Sequence, residues 1–150
     1  MADTMTPKQI RRLVDALHAG NAPRGSRVAE ELAASVLERV TNAWPGVVVD
    51  VEAFFAHLGR LLADEAWNSV PALAYEDLYL AFACGSGEKT ALGIFGREYG
   101  PDLETAAARM RLTPERTEDV RQQLWQKLFV GQDGSPRILK RCKLLFCVWI

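Results

Sequence analysis

Apolar residues return at three- and four-residue intervals in segment after segment of this chain, and no segment alternates apolar with polar. That period puts one stripe per helix on a core and gives a sheet nothing to build with. Ile10, Leu13, Val14 and Leu17 form the first stripe, and Gly20 closes it. Ahead of it, Thr6-Pro-Lys-Gln9 has the form of a capping box with proline at the first helical position. Ala29, Leu32, Ala33, Val36, Leu37 and Val40 form the second stripe, after a turn at 21–25 and a cap at Ser26. Phe54, Phe55, Leu58, Leu61 and Leu62 form the third, with Asp50 as its cap. Val47, Val48 and Val49 are the one β-favouring run, and without a partner strand they are expected to be an extended connector. The expected fold class is all-α.

The second half continues the pattern. Pro71 marks a connection, Glu76–Cys84 reads as a short apolar helix stopped by Gly85, and Glu88–Tyr99 as a helix buried through Leu92, Phe95 and Tyr99. Gly93 and Gly96 weaken that helix by roughly 1 kcal/mol each relative to alanine. Gly100-Pro101 is expected to end it and begin another, running to about Leu112. Thr113–Gly131 has the clearest limits. Thr113 is the N-cap, Pro114 the first helical residue, and Glu115, Glu118 and Asp119 complement the helix dipole before Gly131 stops it. Val120, Leu124 and Leu128, widened by Trp125 and Phe129, are expected to face the core. Asp119, Gln122, Gln123 and Gln126 then face outward. A solvated helix usually carries Glu/Lys pairs, so a face of three glutamines and an aspartate suggests a second partner.

Composition narrows the function classes. With 49% apolar and 25% charged residues the chain is globular rather than disordered, and 150 residues suit one domain. A net charge of −1 gives no global reason to expect nucleic acid. From Pro136 onward, however, Arg137, Lys140, Arg141 and Lys143 meet no acidic residue. The three cysteines (Cys84, Cys142, Cys147) cannot all pair, which fits a reducing, cytoplasmic setting. The N-terminus lacks a signal layout, and the apolar run Leu144–Ile150 is too short to cross a bilayer, so no membrane partner is expected.

Candidate chemistry is sparse. Gly85-Ser-Gly-Glu-Lys-Thr90 holds half of a phosphate loop, but Glu88 stands where glycine must precede the lysine, and the segment follows a helix. His18 and His57 lie on separate helices, and Cys142 and Cys147 have no zinc spacing. No catalytic residue, metal or cofactor is expected, and the chain does not read as an enzyme.

Glu118-Asp-Val-Arg-Gln-Gln-Leu-Trp-Gln-Lys-Leu128 resembles the core-polymerase-binding helix of sigma-70-type transcription initiation factors of the extracytoplasmic-function group. Asp77-Leu-Tyr-Leu-Ala-Phe-Ala-Cys-Gly-Ser-Gly-Glu-Lys-Thr-Ala-Leu92 resembles the opening helix and turn of the same domain. With Phe95-Gly-Arg-Glu-Tyr99 behind it and Phe55-Ala-His-Leu-Gly59 ahead, the pattern is most similar to a myxobacterial sigma-factor family. The resemblance spans roughly 50–139 and implies a helical bundle like sigma-70 region 2, preceded by a two-helix extension at 1–41.

It implies core RNA polymerase as partner, the clamp helices of its largest subunit meeting Asp119, Gln122 and Gln123, with Gln126 on the same face. Gln123 stands where the family usually has Glu. After Pro136-Arg-Ile-Leu139 the family continues with a glycine-rich turn, an aromatic-basic promoter-melting helix and a helix-turn-helix domain. Here a divergent basic and apolar tail, 140–150, follows instead, as in a truncated or out-of-frame end. Promoter DNA is therefore expected to be held weakly or not at all, through phosphate contacts from Arg137, Lys140, Arg141 and Lys143. The apolar tail residues are expected to dock on the helical body or to mediate a homo-oligomer. The alternatives are a stand-alone helical interaction module, a competitor for polymerase, or a truncated product without function.

Overall fold

Local caps set the first helices. In the computed structural model, which describes residues 6–19, 26–62 and 74–130, the Thr6 backbone N–H donates to Gln9 Oε1 at 2.8 Å. This is one half of a capping box in front of α1 (Pro7–Ala19); the Gln9 N–H donates to the Thr6 carbonyl at 2.9 Å, and the Thr6 hydroxyl donates to Gln9 Oε1 at 3.0 Å. α2 spans Ser26–Ala43 and α3 spans Val51–Leu62. Asp50 caps α3, its Oδ1 accepting the Ala53 N–H at 3.1 Å. Then come α4 (Tyr75–Gly85), α5 (Lys89–Arg109) and α6 (Pro114–Trp125), and a π-helical segment, Gln126–Val130, prolongs α6. The fold is all-α, with no strand among the described residues. Val47–Val49 is an extended connector, in which Val47 is buried and Val48 exposed.

The chain divides into two compact units, Met1–Pro45 with Val49–Tyr79, and Gly46–Val48 with Leu80–Ile150. In the first, α1 packs along α3 and beside α2. The expected extension at 1–41 therefore shares a unit with α3. Leu13, Val14, Leu17, Ala29, Ala33, Val36, Val40, Phe54, Phe55, Leu58 and Leu62 are buried, and Ile10, Leu32, Leu37 and Leu61 are half-buried. Phe54 stands edge-on to Phe55 and to Tyr79, with ring centroids 5.6 and 5.1 Å apart. Each such large side chain contributes about 1.5–3 kcal/mol on burial. Gly59 sits against the backbone of Leu17, and a Cβ there would overlap the Leu17 carbonyl oxygen.

Polar contacts fix the start of α4. Arg39 Nε and Nη2 donate to the two Glu76 carboxylate oxygens at 2.8 and 2.9 Å, and Trp44 Nε1 donates to the Glu76 carbonyl at 2.8 Å. Arg39 also lies over the Tyr75 ring, 5.4 Å from its centroid. Burial pushes the Tyr75 hydroxyl up to about 12, against the opposing pull of the Arg39 charge. For Glu76, partial burial works against ionisation, but the Arg39 guanidinium outweighs it and holds the carboxyl below its ordinary value. The pair's contribution is thus complete above about pH 4.5, the ordinary value, and is lost as pH falls through the lower folded value. Glu76→Gln should therefore flatten part of the acid limb of a Tm-against-pH curve. An acid limb identical to the wild type would show that the pair adds no pH-dependent stability.

Three departures from the sequence expectation in the second unit concern the course and burial of its helices. α5 is one helix that runs through Pro101, not two meeting at Gly100-Pro101. A proline drives its predecessor out of the helical region largely by clashing with that residue's Cβ, and Gly100 has none. One backbone bond is lost, while Glu88 caps the start of the helix and the Thr105 hydroxyl donates to the Pro101 carbonyl at 2.9 Å. Second, the expected burial through Leu92, Phe95 and Tyr99 is incomplete. Leu92 and Phe95 are half-buried and Tyr99 is 40% exposed, whereas Ala91 and Ala107 are buried. Third, α6 presents a different side to α5. Val120 and Leu124 are 40% and 37% exposed, and the less exposed positions are Thr117, Arg121, Trp125, Leu128 and Phe129. The expected turn at 21–25, the Ser26 cap, the stops at Gly20 and Gly131, the Pro71 connection and the 140–150 tail lie outside the described residues or side chains.

Candidate functional site

α6 begins as its sequence dictates. Thr113 Oγ1 accepts the Arg116 N–H at 3.4 Å, and Pro114 takes the first turn, where its missing donor costs nothing. Two contacts then fix its rotation. Trp125 meets Phe95 edge-on at 5.5 Å, and Phe129 meets the same ring at 5.1 Å. A Cβ at Gly96 would lie 4.0 Å from Trp125 Cζ2, an ordinary contact, so the indole packs beside Gly96 without requiring a glycine there. Arg121 reaches Glu104 on α5 at 3.1 Å and Glu118 on its own helix at 3.3 Å, while its Nε is buried without a hydrogen-bond partner among the described residues.

With that side held, Asp119, Gln122, Gln123 and Gln126 are all exposed, and their spacing of three, four and seven residues puts them on one face. Among the described residues Gln122 makes only a long contact, Nε2 to Glu118 Oε1 at 3.5 Å. Val120 and Leu124 flank this face. The result is a helix surface with amide and carboxylate groups beside two aliphatic side chains, the mixture of hydrogen bonds and apolar anchors that a protein partner uses. Arg137, Lys140, Arg141 and Lys143, the expected DNA-contacting set, lie outside the described residues, as do Cys142 and Cys147.

Other groups are committed elsewhere. The Glu88 carboxylate accepts the N–H groups of Thr90 and Ala91 at 3.0 and 2.7 Å, the donors a phosphate at this helix end would need. Those bonds hold the Glu88 carboxyl below its ordinary value. Cys84 is buried, and burial, aided by the Glu88 charge, pushes its thiol up to about 12, far from a reactive thiolate. Burial, with the neighbouring Arg60 charge, lowers the pKa of His57. His18 Nε2 is buried with no partner among the described residues. No three His, Cys, Asp or Glu side chains among the described residues are grouped to hold a metal. No described helix is long and apolar enough to cross a membrane. Between α5 and α6 an open cleft of about 440 Å³ runs over Gly93, Gly96 and Gly100, walled by Arg97, Arg121 and Trp125.

One feature escaped the sequence reading: the corner between α5 and α6. α5 ends at Arg109 rather than near Leu112, in a Schellman turn in which the Leu112 N–H donates to the Ala107 carbonyl and the Arg111 N–H to the Ala108 carbonyl, both at 3.0 Å. The residue this motif holds in the left-handed region is usually glycine, and here it is Arg111, with φ of 55°. A glycine would have signalled the stop. Its absence hid the turn.

Compared with models of protein families, with curated proteins and with solved structures, the chain matches none.

Proposed function

We propose that this chain is a sigma-factor-like protein that binds core RNA polymerase through the outer face of α6. The observation that carries the reading is the joint exposure of Asp119, Gln122, Gln123 and Gln126 on a helix whose other side is held by Arg121 and Trp125. What supports polymerase as the partner is the resemblance of 118–128 to the family's core-binding helix, with 77–92 resembling that domain's opening helix and turn ahead of it. In this reading Asp119 and the three glutamines hydrogen-bond to the clamp helices while Val120 and Leu124 add apolar contact. The backbone of such a face is set before binding, while its exposed glutamine side chains are ordered on contact.

Capture of purified bacterial core polymerase by the intact chain tests the proposal. The double substitution Asp119→Ala/Gln122→Ala should weaken capture by about 1–3 kcal/mol, at least fivefold, with an unchanged circular dichroism spectrum. An intact chain that fails to bind core polymerase removes the reading, and equal binding by the double variant removes the assignment to this face.

A further inference from the structure

We propose that one open face of α5 docks a second copy of this chain, the two α5 helices lying antiparallel about a two-fold axis. The face consists of Gly93, Arg97, Gly100, Glu104 and Ala108. Steps of four, three, four and four residues confine it to about 80° of the helix circumference. Gly93, Arg97, Gly100 and Glu104 line the same cleft of about 440 Å³ beside α6, so they share one surface. Ala108 lies one turn beyond Glu104, and the two line an adjoining hollow.

This face is uncovered among the described residues. Nothing lies within 4 Å of where a Cβ at Gly93 or Gly100 would stand, and Arg97, Glu104 and Ala108 are exposed. Gly100 has a use within the chain, because it lets α5 pass through Pro101. Gly93 has none: it weakens the helix, and no neighbour needs the space it leaves. Within one chain alanine would serve better there. Bare backbone at 93 and 100 does serve a second helix, which can approach closely along that line.

The order of the charges identifies the occupant. The point midway between Arg97 and Glu104 falls between Gly100 and Pro101, and it is also midway between Gly93 and Ala108. A second α5 turned end for end about that point sets its Glu104 against Arg97 and its Arg97 against Glu104. Gly93 then meets the second copy's Ala108, and Gly100 meets its Pro101, so no bulky side chain holds the helices apart. A contact between identical surfaces demands this self-complementarity, which a helix of unrelated sequence matches only by chance. Both charges are available for the role. Arg97 forms no ion pair among the described residues, and Arg121 bonds Glu104 through Oε1, leaving Oε2. Leu92 and Trp125, in the wall of the same cleft, add apolar area at the edge of the contact. The face uses none of Asp119, Gln122, Gln123 and Gln126, and it stands whether or not polymerase is the partner of α6.

Sedimentation equilibrium of the full chain tests the proposal. The intact chain should pass from monomer to dimer between about 1 and 100 μM, as suits a small contact with two exposed ion pairs. Arg97→Glu sets like charges against each other twice in each dimer and should weaken association by about tenfold or more. Glu104→Arg should do the same. Mixed in equal amounts, the two variants should associate at least about tenfold more tightly than either alone, because each supplies the sign that the other lacks at both pairs. Glu104→Arg also gives up the Arg121 bridge, so its circular dichroism spectrum must match that of the wild type. Gly93→Gln needs no such check on α6: it favours the helix but stands where the second copy's Ala108 must approach, and should weaken association by about tenfold. A chain that stays monomeric up to about 100 μM overturns the proposal. So does a dimer that Arg97→Glu or Gly93→Gln leaves intact, which would place the contact elsewhere, the tail included. Folded Arg97→Glu and Glu104→Arg chains that fail to associate on mixing exclude the antiparallel two-fold arrangement and overturn it too.

Discussion

Gly59→Ala is expected to cost the first unit about 3–4 kcal/mol, enough to leave it partly unfolded at room temperature if its stability lies at the low end for a domain. The added methyl would lie against backbone. It overlaps the Leu17 carbonyl oxygen and comes within 3.0 and 3.1 Å of the Leu17 carbonyl carbon and Cα. A side chain in that position can swing away, but a helix backbone cannot. α1 must therefore back off from α3, and Leu13, Val14 and Leu17 lose part of their burial. Gly93→Ala is the control, because nothing lies within 4 Å of a Cβ there, and it should gain up to about 1 kcal/mol from helix propensity. Chemical denaturation of the two variants beside the wild type measures both. Equal midpoints for all three would mean that α1 and α3 do not approach as closely as described.

The second large effect is expected at Trp125. α6 has no buried residue, so its seat on α5 rests on Trp125, Phe129 and the Arg121 ion pairs. Full burial would make Trp→Ala cost about 3–5 kcal/mol, and half-burial brings the expected figure to about 2–3. Hydrogen exchange reads it directly. Protection of the α6 amides should drop by about 30- to 100-fold, and under the proposed function capture of core polymerase should fall with it as the Asp119 face loses its fixed orientation. Unchanged protection in Trp125→Ala would show that the aromatic contacts do not hold the helix.

What the sequence revealed was short in range. The Thr6–Gln9 box, the Asp50 cap and the Thr113 cap each depend on residues three apart. The stripes of α1, α2 and α3 need only the helical period, and the structure buries most of their members. The outward placement of Asp119, Gln122, Gln123 and Gln126 was legible for the same reason, because small rotations of the helix leave that face exposed.

The orientation of α6 was harder to read. Val120-Leu124-Leu128 and Arg121-Trp125-Leu128 are two overlapping stripes about one residue apart, and hydropathy favours the first. The choice is made by partners far along the chain, with Phe95 receiving the indole and Glu104 receiving the guanidinium. Such pairings leave no local trace. Pro101 misled for a related reason, since the usual clash depends on a Cβ that its neighbour Gly100 lacks.

The π-helical turn at Gln126–Val130 acts as a phase shifter. Its backbone bonds close over five residues instead of four, so each residue advances by roughly 80° rather than about 100°. In an unbroken α-helix Phe129 would sit about 40° around the axis from Trp125. The slower winding brings it almost directly above Trp125, and both rings meet Phe95. By Val130 the lag has grown to nearly a quarter turn, about the rotation of a single residue in an α-helix. Deleting one residue between Gln126 and Val130, with a return to α-helical winding, would leave Val130 within about 20° of its present azimuth but turn Phe129 about 40° away from the line of Trp125, loosening the ring cluster.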